Sequence, residues 1–160
     1  MQKITPFLWF KDTAEEAIAF YTSVFKDAKV VDKTTLPDNV PGPAGKVIVA
    51  TIELLGMRFM LINGGENPGY DTFAPSISFM IDCADQAEVD YYWEKLVEGG
   101  GQHSVCGWLT DKFGLTWQVV PTRMGELMSD TDKEKVRRVS DAMMKMPKLD
   151  IAGLEAAAAG

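Results

Sequence analysis

The sequence predicts an α+β fold in which two βαβββ modules form a cupped, mixed β-sheet with helices outside, followed by a C-terminal helical extension. Three observations lead to this fold class. A hairpin pattern spans residues 106–121, the order of strand, helix and about three strands occurs twice, and two helical patterns follow residue 121. Such a repeat gives two half-sheets that can join into one curved surface.

The chain of 160 residues is long enough to bury one sizeable core. We predict a single domain over residues 1–121, made of module one at 3–63, a turn-rich linker at 64–75 and module two at 76–121. Residues 122–160 form the helical extension and a frayed tail.

Module one begins with an apolar, aromatic run that is typical of a buried strand. Asp12 or Thr13 caps the helix that follows, and Glu15 and Glu16 lie in its first turn, where the helix dipole favours negative charge. A second strand and a hairpin come next. The predicted elements are strand, helix, strand and two hairpin strands, at residues 4–10, 14–25, 28–36, 47–54 and 57–63.

Pairing outward from Leu55-Gly56 gives the register of this hairpin. Thr51 then lies beside Met60, and Val49 beside Ile62. Glu53 lies beside Arg58 on the same face, and the other face is the more apolar one, with Ala50, Ile52, Phe59 and Leu61. A loop rich in proline and glycine, residues 37–45, precedes the hairpin.

Module two repeats this order of elements. A strand, a helix, a short strand and a hairpin are predicted at residues 76–82, 85–98, 102–106 and 106–121. The helix buries an apolar stripe with Tyr92 and Trp93, and the triple glycine at 99–101 ends it.

The hairpin at residues 106–121 has two contrasting faces. If residues 111–114 are its loop, Trp108 pairs with Trp117 and Gly107 lies opposite Gln118, and paired residues share a face. One face is then bulky and packed, while the other is hollowed by a glycine beside a single amide. This contrast predicts a cupped sheet with a pocket inside.

The extension carries helical patterns at residues 122–129 and 132–145, and four alanines at 156–159 predict a frayed end. Its apolar side chains are Met124, Leu127, Met128, Val136, Val139, Met143 and Met146. They are more than a short helical tail would leave in water, which predicts a homodimer with the modules or the extension at the shared surface. The alternative is that the extension folds over its own module.

Composition excludes several classes of partner. The formal net charge is −7 and the basic residues are scattered, so the chain lacks the basic face that nucleic acid binding needs. No apolar run approaches the about 18 residues of a membrane span. The first residues lack a signal-peptide pattern, and the two cysteines fit reduced thiols, so we expect a cytoplasmic protein.

Several motifs resemble the PhnB-like branch of the vicinal oxygen chelate superfamily, which includes glyoxalase I, bleomycin-resistance proteins and extradiol dioxygenases. These motifs are Pro6-Phe-Leu-Trp-Phe10, Glu16-Ala-x-x-Phe-Tyr21, Asn63-Gly-Gly65, Asp85-Gln-x-Glu88, Trp93-x-Lys-Leu96 and the hairpin from Cys106 to Pro121. The resemblance covers about residues 3–147. It implies two βαβββ modules, a cupped mixed sheet and frequent homodimers.

Relatives in this branch often carry the label 3-demethylubiquinone-9 3-methyltransferase. A nucleotide-type cofactor needs a glycine-rich turn between a strand and a helix. The glycine clusters at 64–65 and 99–101 do not have that position. The sequence therefore gives the methyltransferase label no support, and we expect no cofactor.

The resemblance also implies a divalent metal ion, held by His and Glu side chains on strands of both modules. Alignment of the motifs puts Pro6, Ser76 and Gln118 at ligand positions, with the remaining ligand at Val49 or Thr51. Proline cannot bind a metal through its side chain, and serine and glutamine are poor ligands for transition metals. We therefore expect no metal site of the superfamily type.

Three other residues are candidates for catalysis. His103, the single histidine, is interpreted as a surface residue because no orienting partner is evident. Cys106 is interpreted as a buried structural thiol on the packed face, and Cys83 as a small buried residue, because a reactive thiol needs a stabilised thiolate.

The function favoured by these observations is a metal-free small-molecule-binding protein of the glyoxalase and bleomycin-resistance type, with its ligand in the cupped sheet. The predicted pocket residues are Pro6, Leu8, Phe10, Val49, Thr51, Met60, Ser76, Ser78, Met80 and Gln118. One alternative is a lyase or dioxygenase-type enzyme with a rearranged metal site. Another is a dimeric scaffold whose cavity is vestigial.

Overall fold

The computed structural model describes residues 2–37, 45–70 and 72–160. Its contacts divide the chain into an N-terminal unit, Met1–Thr72, and a C-terminal unit, Phe73–Gly160. Each unit contains one four-stranded mixed sheet, so the predicted α+β class and the two βαβββ modules are confirmed. Most of the predicted 37–45 loop and Asp71 of the predicted linker lie outside the described residues. The single domain over residues 1–121 stays a prediction.

The N-terminal unit has its strands in the order β1-β4-β3-β2, with β1 parallel to β4 and the other pairs antiparallel. Its elements are β1 (Phe7–Phe10), α1 (Ala14–Val24), β2 (Lys29–Thr35), β3 (Val47–Leu54) and β4 (Met57–Asn63). The predicted register of the β3–β4 hairpin is confirmed, with Thr51 opposite Met60 and Val49 opposite Ile62.

One face of this sheet packs against α1 to form the core of the N-terminal unit. The helix contributes Tyr21, which is 1% exposed, and the sheet contributes Ile52 and Leu61, both fully buried. The alternation of buried and half-buried residues along β3 follows from the period of two in a strand.

The two residues of β1 that were predicted to line the pocket face the opposite side of the sheet. Leu8 pairs beside Leu61 and is 6% exposed, and Phe10 is 4% exposed, so both belong to the core rather than to the face of Thr51 and Met60. This placement does not match their predicted role in a pocket. The run around β1 is apolar at nearly every position, so the sequence contained no alternation to show which side faces the helix.

The C-terminal unit has the strand order β5-β8-β7-β6, with β5 parallel to β8. Its first elements are β5 (Ser78–Cys83), α2 (Gln86–Lys95), β6 (Gln102–His103), β7 (Trp108–Thr110) and β8 (Thr116–Pro121). The Asp85 carboxylate accepts a hydrogen bond from Glu88 N, and the Glu88 carboxylate accepts one from Ala84 N. Asp85 is the N-cap of α2, and the Glu88 carboxylate bonds one residue before it, so this is a variant of the capping box that fixes the start of α2.

The β7–β8 hairpin has a different register from the predicted one. Trp108 pairs with Gln118 and Leu109 with Trp117, so the predicted Trp108–Trp117 pair is wrong by one residue. Residue 115 belongs to the loop, because Asp111 N donates to Leu115 O and the Asp111 carboxylate accepts from Leu115 N. Gly107 O accepts from Val119 N, so Gly107 does not lie opposite Gln118.

The extension folds onto the C-terminal unit, which is the alternative that the sequence left open. It forms α3 (Thr122–Met128), α4 (Lys133–Met143) and α5 (Ile151–Ala159). Together they bury a core of Met124, Leu127, Val139 and Leu154, against which Val120, Met128, Met143 and Met146 pack. Most apolar residues that suggested an intersubunit surface are therefore covered within the same unit.

The chain end is helical rather than frayed. The Asp150 carboxylate accepts a hydrogen bond from Gly153 N at the start of α5. At the other end, the Arg138 guanidinium donates to Ala157 O and Ala158 O, which satisfies carbonyls that a helix end otherwise leaves without partners. The local alanine pattern could not reveal this contact from α4.

In the part of the chain that the structure describes, every helix is too short or too polar to cross a bilayer.

Candidate functional site

An open groove of about 730 Å³ lies within the C-terminal unit, against the face of its sheet that is not covered by α2. The sheet contributes Met80, Trp108, Thr110, Thr116 and Gln118. The end of α4 and the chain around it contribute Met143, Met144 and Leu149, and α3 contributes Met124. The groove is therefore built jointly by the βαβββ module and the extension.

Gln118 occupies the centre of the sheet surface in this groove. Its register partners are Met80 on β5 and Trp108 on β7, and residues that pair across strands share a face. Gln118 Nε2 donates a hydrogen bond to Ser78 Oγ at 2.9 Å. That bond holds the amide, and the Gln118 Oε1 atom has no hydrogen bond among the described residues.

One side of the groove is formed by Cys106 and the α4 end. Cys106 has a φ of 57° and Gly107 one of 80°, a conformation that an L side chain rarely adopts. Two backbone bonds hold this bend, from Cys106 N to Met146 O and from Gly107 N to Pro147 O, both 2.8 Å. The extension thus fixes the bend that turns the Cys106 side chain into the groove.

Cys106 is a correction to the sequence interpretation. Its thiol is half-buried and lines the groove, with Sγ 3.6 Å from Met143 O and 3.8 Å from Met144 Sδ. The interpretation as a buried thiol on the packed face followed from the shifted hairpin register. A Cβ at position 107 would lie 2.6 Å from Val119 O, so the bend beside Cys106 requires glycine.

The structure brings together three of the predicted pocket residues in the C-terminal unit, namely Ser78, Met80 and Gln118. Ser76 is exposed in the turn that precedes β5 rather than on the strand. The predicted pocket did not include several residues that line the groove, among them Trp108, Cys106 and the methionines at the end of α4. The apolar stripe of α4 was visible in the sequence, but its position over the sheet depends on long-range contacts.

In the N-terminal unit, the predicted pocket residues divide between two faces. Val49, Thr51 and Met60 are half-buried and share the face away from α1. Pro6 lies just before β1, where its carbonyl accepts a hydrogen bond from Met60 N. That these four residues contact a ligand stays a prediction.

His103 is exposed, as expected, but it has partners. Its ring stacks on Trp93 with centroids 4.2 Å apart and planes 2° from parallel, and Nε2 lies 2.9 Å from Trp93 O. These contacts attach the short strand β6 to α2. They explain the histidine as a structural surface residue.

Cys83 is fully buried on β5, as the sequence interpretation expected. Burial, followed by the negative charges of Glu88 and Asp82, raises the pKa of its thiol to about 12. A thiol with so high a pKa is protonated at neutral pH, so it does not supply a nucleophilic thiolate.

Glu15 and Asn63 form a polar network in the N-terminal unit. The Glu15 carboxylate accepts hydrogen bonds from Val47 N at 2.6 Å and Asn63 Nδ2 at 2.7 Å, and Asn63 Oδ1 accepts one from Ala14 N. Partial burial raises the pKa of Glu15, but hydrogen bonds from Asn63 and Val47 and the charge of Lys46 outweigh it and hold the pKa below its usual value. The network connects the start of α1 to β3 and β4.

The residues at the implied metal positions do not fit a divalent ion. Pro6 has no donor atom in its side chain, Ser76 lies in an exposed turn, and the Gln118 amide is bonded to Ser78. Within the described ranges, no group of three or more His, Cys, Asp or Glu side chains has a geometry for holding a metal. We therefore assign no chemical step to a metal ion.

Two βαβββ units with four-stranded mixed sheets place the chain in the vicinal oxygen chelate superfamily. Within it, the chain belongs to the family described as 3-demethylubiquinone-9 3-methyltransferase, whose model matches residues 2–120. That description is a family name. The turns between β1 and α1 and between β5 and α2 contain no glycine, so neither provides the glycine-rich turn of a nucleotide-type cofactor site.

The PhnB protein from Bacillus cereus, described with the same methyltransferase name, is 37% identical, with a TM-score of 0.67 over 76% of this chain and 100% of that one. A Pseudomonas aeruginosa protein is 22% identical, with a TM-score of 0.56 over 76% and 98%. The fosfomycin resistance protein FosX from Listeria monocytogenes is 16% identical, with a TM-score of 0.55 over 81% and 98%. The last two show the fold alone. A search of curated proteins found no match.

Proposed function

We propose that the protein binds a small molecule without a metal ion, in the groove of the C-terminal unit. The observation that carries this proposal is an open groove of about 730 Å³ with the oriented Gln118 amide on its sheet side. Ligand sites usually have about 300–1,000 Å³ and combine apolar walls with a few placed polar groups. Of the predicted pocket residues, Met80 and Gln118 line the groove and Ser78 contacts the Gln118 amide, which supports the proposal.

The apolar part of the groove would supply most of the binding free energy. Trp108 is 36% exposed and Met80 is 56% exposed, so ligand binding would remove both side chains from water. Exposed apolar side chains that lie together in a concave surface are typical of a binding site rather than of ordinary surface. Gln118 would orient the ligand through its free acceptor.

The groove can be tested with N-phenyl-1-naphthylamine, a neutral aromatic probe whose fluorescence increases in apolar surroundings. We expect saturable binding to the full chain. Ser104→Trp adds an indole at a residue that lines the groove and should weaken binding at least about tenfold. The matched variant Ser23→Trp makes the same exchange at an exposed position on α1 and should bind like the parent. Equal binding by both variants would place the probe elsewhere.

Metal content distinguishes this proposal from an enzyme with a rearranged metal site. We expect elemental analysis of the purified protein to find no stoichiometric transition metal, and a chelator to leave the thermal melting curve unchanged. A ligand that binds only the folded state raises its apparent stability, so removal of a bound metal would lower the melting temperature. A tightly held stoichiometric metal would contradict the metal-free proposal.

We also propose that the protein is a homodimer, as the resemblance to its superfamily implies. The surface feature that supports this proposal is the edge strand β2, where Val30 and Val31 are 45% and 40% exposed. Unpaired edge strands in folded proteins are commonly covered or paired. The cytoplasmic location stays a prediction.

A further inference from the structure

We infer that the groove selects an uncharged, flat ligand with an N–H or O–H donor, and that it discriminates against anions. This inference rests on the proposed function and adds the chemical class of the ligand. Three features of the C-terminal unit lead to it: the absence of charge along the groove, the free acceptor of Gln118, and the side chains on either side of that amide.

The described residues that line the groove include no Asp, Glu, Lys, Arg or His side chain. The polar side chains among these residues are those of Ser104, Thr110, Thr116, Gln118 and the Cys106 thiol. An anion that enters such a site loses hydration and gains no opposite charge, which costs far more than burying a neutral group. The formal net charge of −7 adds a weak general repulsion of anions.

The hydrogen-bonding capacity of Gln118 specifies the ligand further. A side-chain amide has one acceptor oxygen and two N–H donors, and Nε2 already donates to Ser78 Oγ. The Oε1 atom has no hydrogen bond among the described residues. A ligand that buries this oxygen without donating to it would leave an unsatisfied acceptor, which is costly, so a ligand donor is favoured.

The neighbours of Gln118 favour a flat ring. Trp108 and Met80 lie on either side of the amide, on β7 and β5. An indole stacks on aromatic rings, and a thioether makes favourable contacts with ring edges. A phenol, an arylamine or an indole would thus place its ring between these side chains and its donor at Gln118.

A matched pair of probes tests the charge selectivity. N-phenyl-1-naphthylamine is neutral and carries one N–H, while 8-anilinonaphthalene-1-sulfonate has the same ring system with a sulfonate in the peri position, beside that N–H. The sulfonate must therefore accompany the amine to Gln118. We expect the neutral probe to bind the full chain at least about tenfold more tightly than the sulfonate, by fluorescence titration.

Two lysine variants locate the selectivity. Met80→Lys puts a cation beside Gln118 and should reduce the preference for the neutral probe at least about threefold, mainly by strengthening binding of the sulfonate. Met57→Lys makes the same exchange at a 40% exposed methionine in the N-terminal unit and changes the net charge equally. Met57→Lys should show the same preference for the neutral probe as the parent protein.

The outcomes separate this inference from the proposed function. Equal affinities of the parent protein for the two probes would overturn the charge selectivity while leaving a binding groove. A failure of both probes to bind would overturn the proposed groove itself. An equal effect of Met80→Lys and Met57→Lys would show that net charge, rather than the groove, decides the preference, and would also overturn the inference.

Discussion

Asp111 shows how a single side chain can set the geometry of a site. It is 3% exposed, and its carboxylate accepts hydrogen bonds from Phe113 N, Leu115 N and Trp117 Nε1, the last at 2.9 Å. These bonds draw Leu115 into the loop and so decide which residues of β8 face the groove. A shift by one residue would turn Gln118 to the other face of the sheet.

We expect Asp111→Ala to lower the free energy of unfolding by roughly 2–4 kcal/mol, because each buried donor left without an acceptor costs about 1–3 kcal/mol. Urea denaturation measures this loss. Asp141→Ala, which removes an exposed carboxylate paired with Arg137, should cost less than about 0.5 kcal/mol.

A double variant tests the contribution of the indole bond. Trp117→Phe removes the Nε1 donor, so its effect and that of Asp111→Ala should sum to more than the loss in the double variant. Strictly additive losses would show that the carboxylate does not act on Trp117.

Glu15 gives a prediction about pH. Its pKa in the folded protein lies below the usual 4.5. A carboxyl group with a depressed folded-state pKa contributes stability that is present above the unfolded pKa and is lost as pH falls through the folded value. The stability advantage of the parent over Glu15→Gln should therefore shrink as the pH falls from neutrality to below about 4.5. Urea melts at several pH values measure it, and a constant difference throughout would contradict the assignment.

The elements differ in how far the sequence could predict them. The β3–β4 register was predictable because Leu55-Gly56 makes a two-residue turn, with φ of 47° and 80°, between alternating strands. The side of β1 that faces the helix was not predictable, because the residues of this strand are nearly all apolar. The β7–β8 register depends on side-chain bonds of Asp111, which a pairing pattern does not contain. The part of the groove formed by α4 depends on contacts between distant parts of the chain.

The helix α5 leads to a prediction at the scale of the element. Leu154 is fully buried with Met124, Leu127 and Val139, so Leu154→Ala should lower the free energy of unfolding by about 2–5 kcal/mol. Ile4→Ala, at a side chain that is 87% exposed, serves as the control and should have little effect. Thermal or urea unfolding measures both variants. A frayed end would instead give no loss for Leu154→Ala.

At the scale of the whole molecule, the extension changes the case for a dimer. The methionines and leucines of α3 and α4 pack against the module from which they extend, so they no longer require a second subunit. The case now rests on the exposed edge strand and on the superfamily resemblance. The residues that line the groove all belong to the C-terminal unit.

We expect light scattering at micromolar concentration to give a species of twice the 17.6 kDa chain mass. An interface through the β2 edge would be weakened by Val31→Lys, because an edge lysine disfavours further strand pairing. Val105→Lys, at a 59% exposed valine in the C-terminal unit, is the control for added charge. A single species of 17.6 kDa would rule out the dimer at that concentration.

The contrast between the two thiols has a practical consequence. Cys83 is fully buried with a pKa raised to about 12, whereas Cys106 is half-buried along the open groove. Alkylating reagents require an accessible thiolate, so they should modify the chain at Cys106 and leave Cys83 intact. The natural sequence thus carries a single attachment point for a fluorescent or spin label, beside the place where a bound molecule would lie.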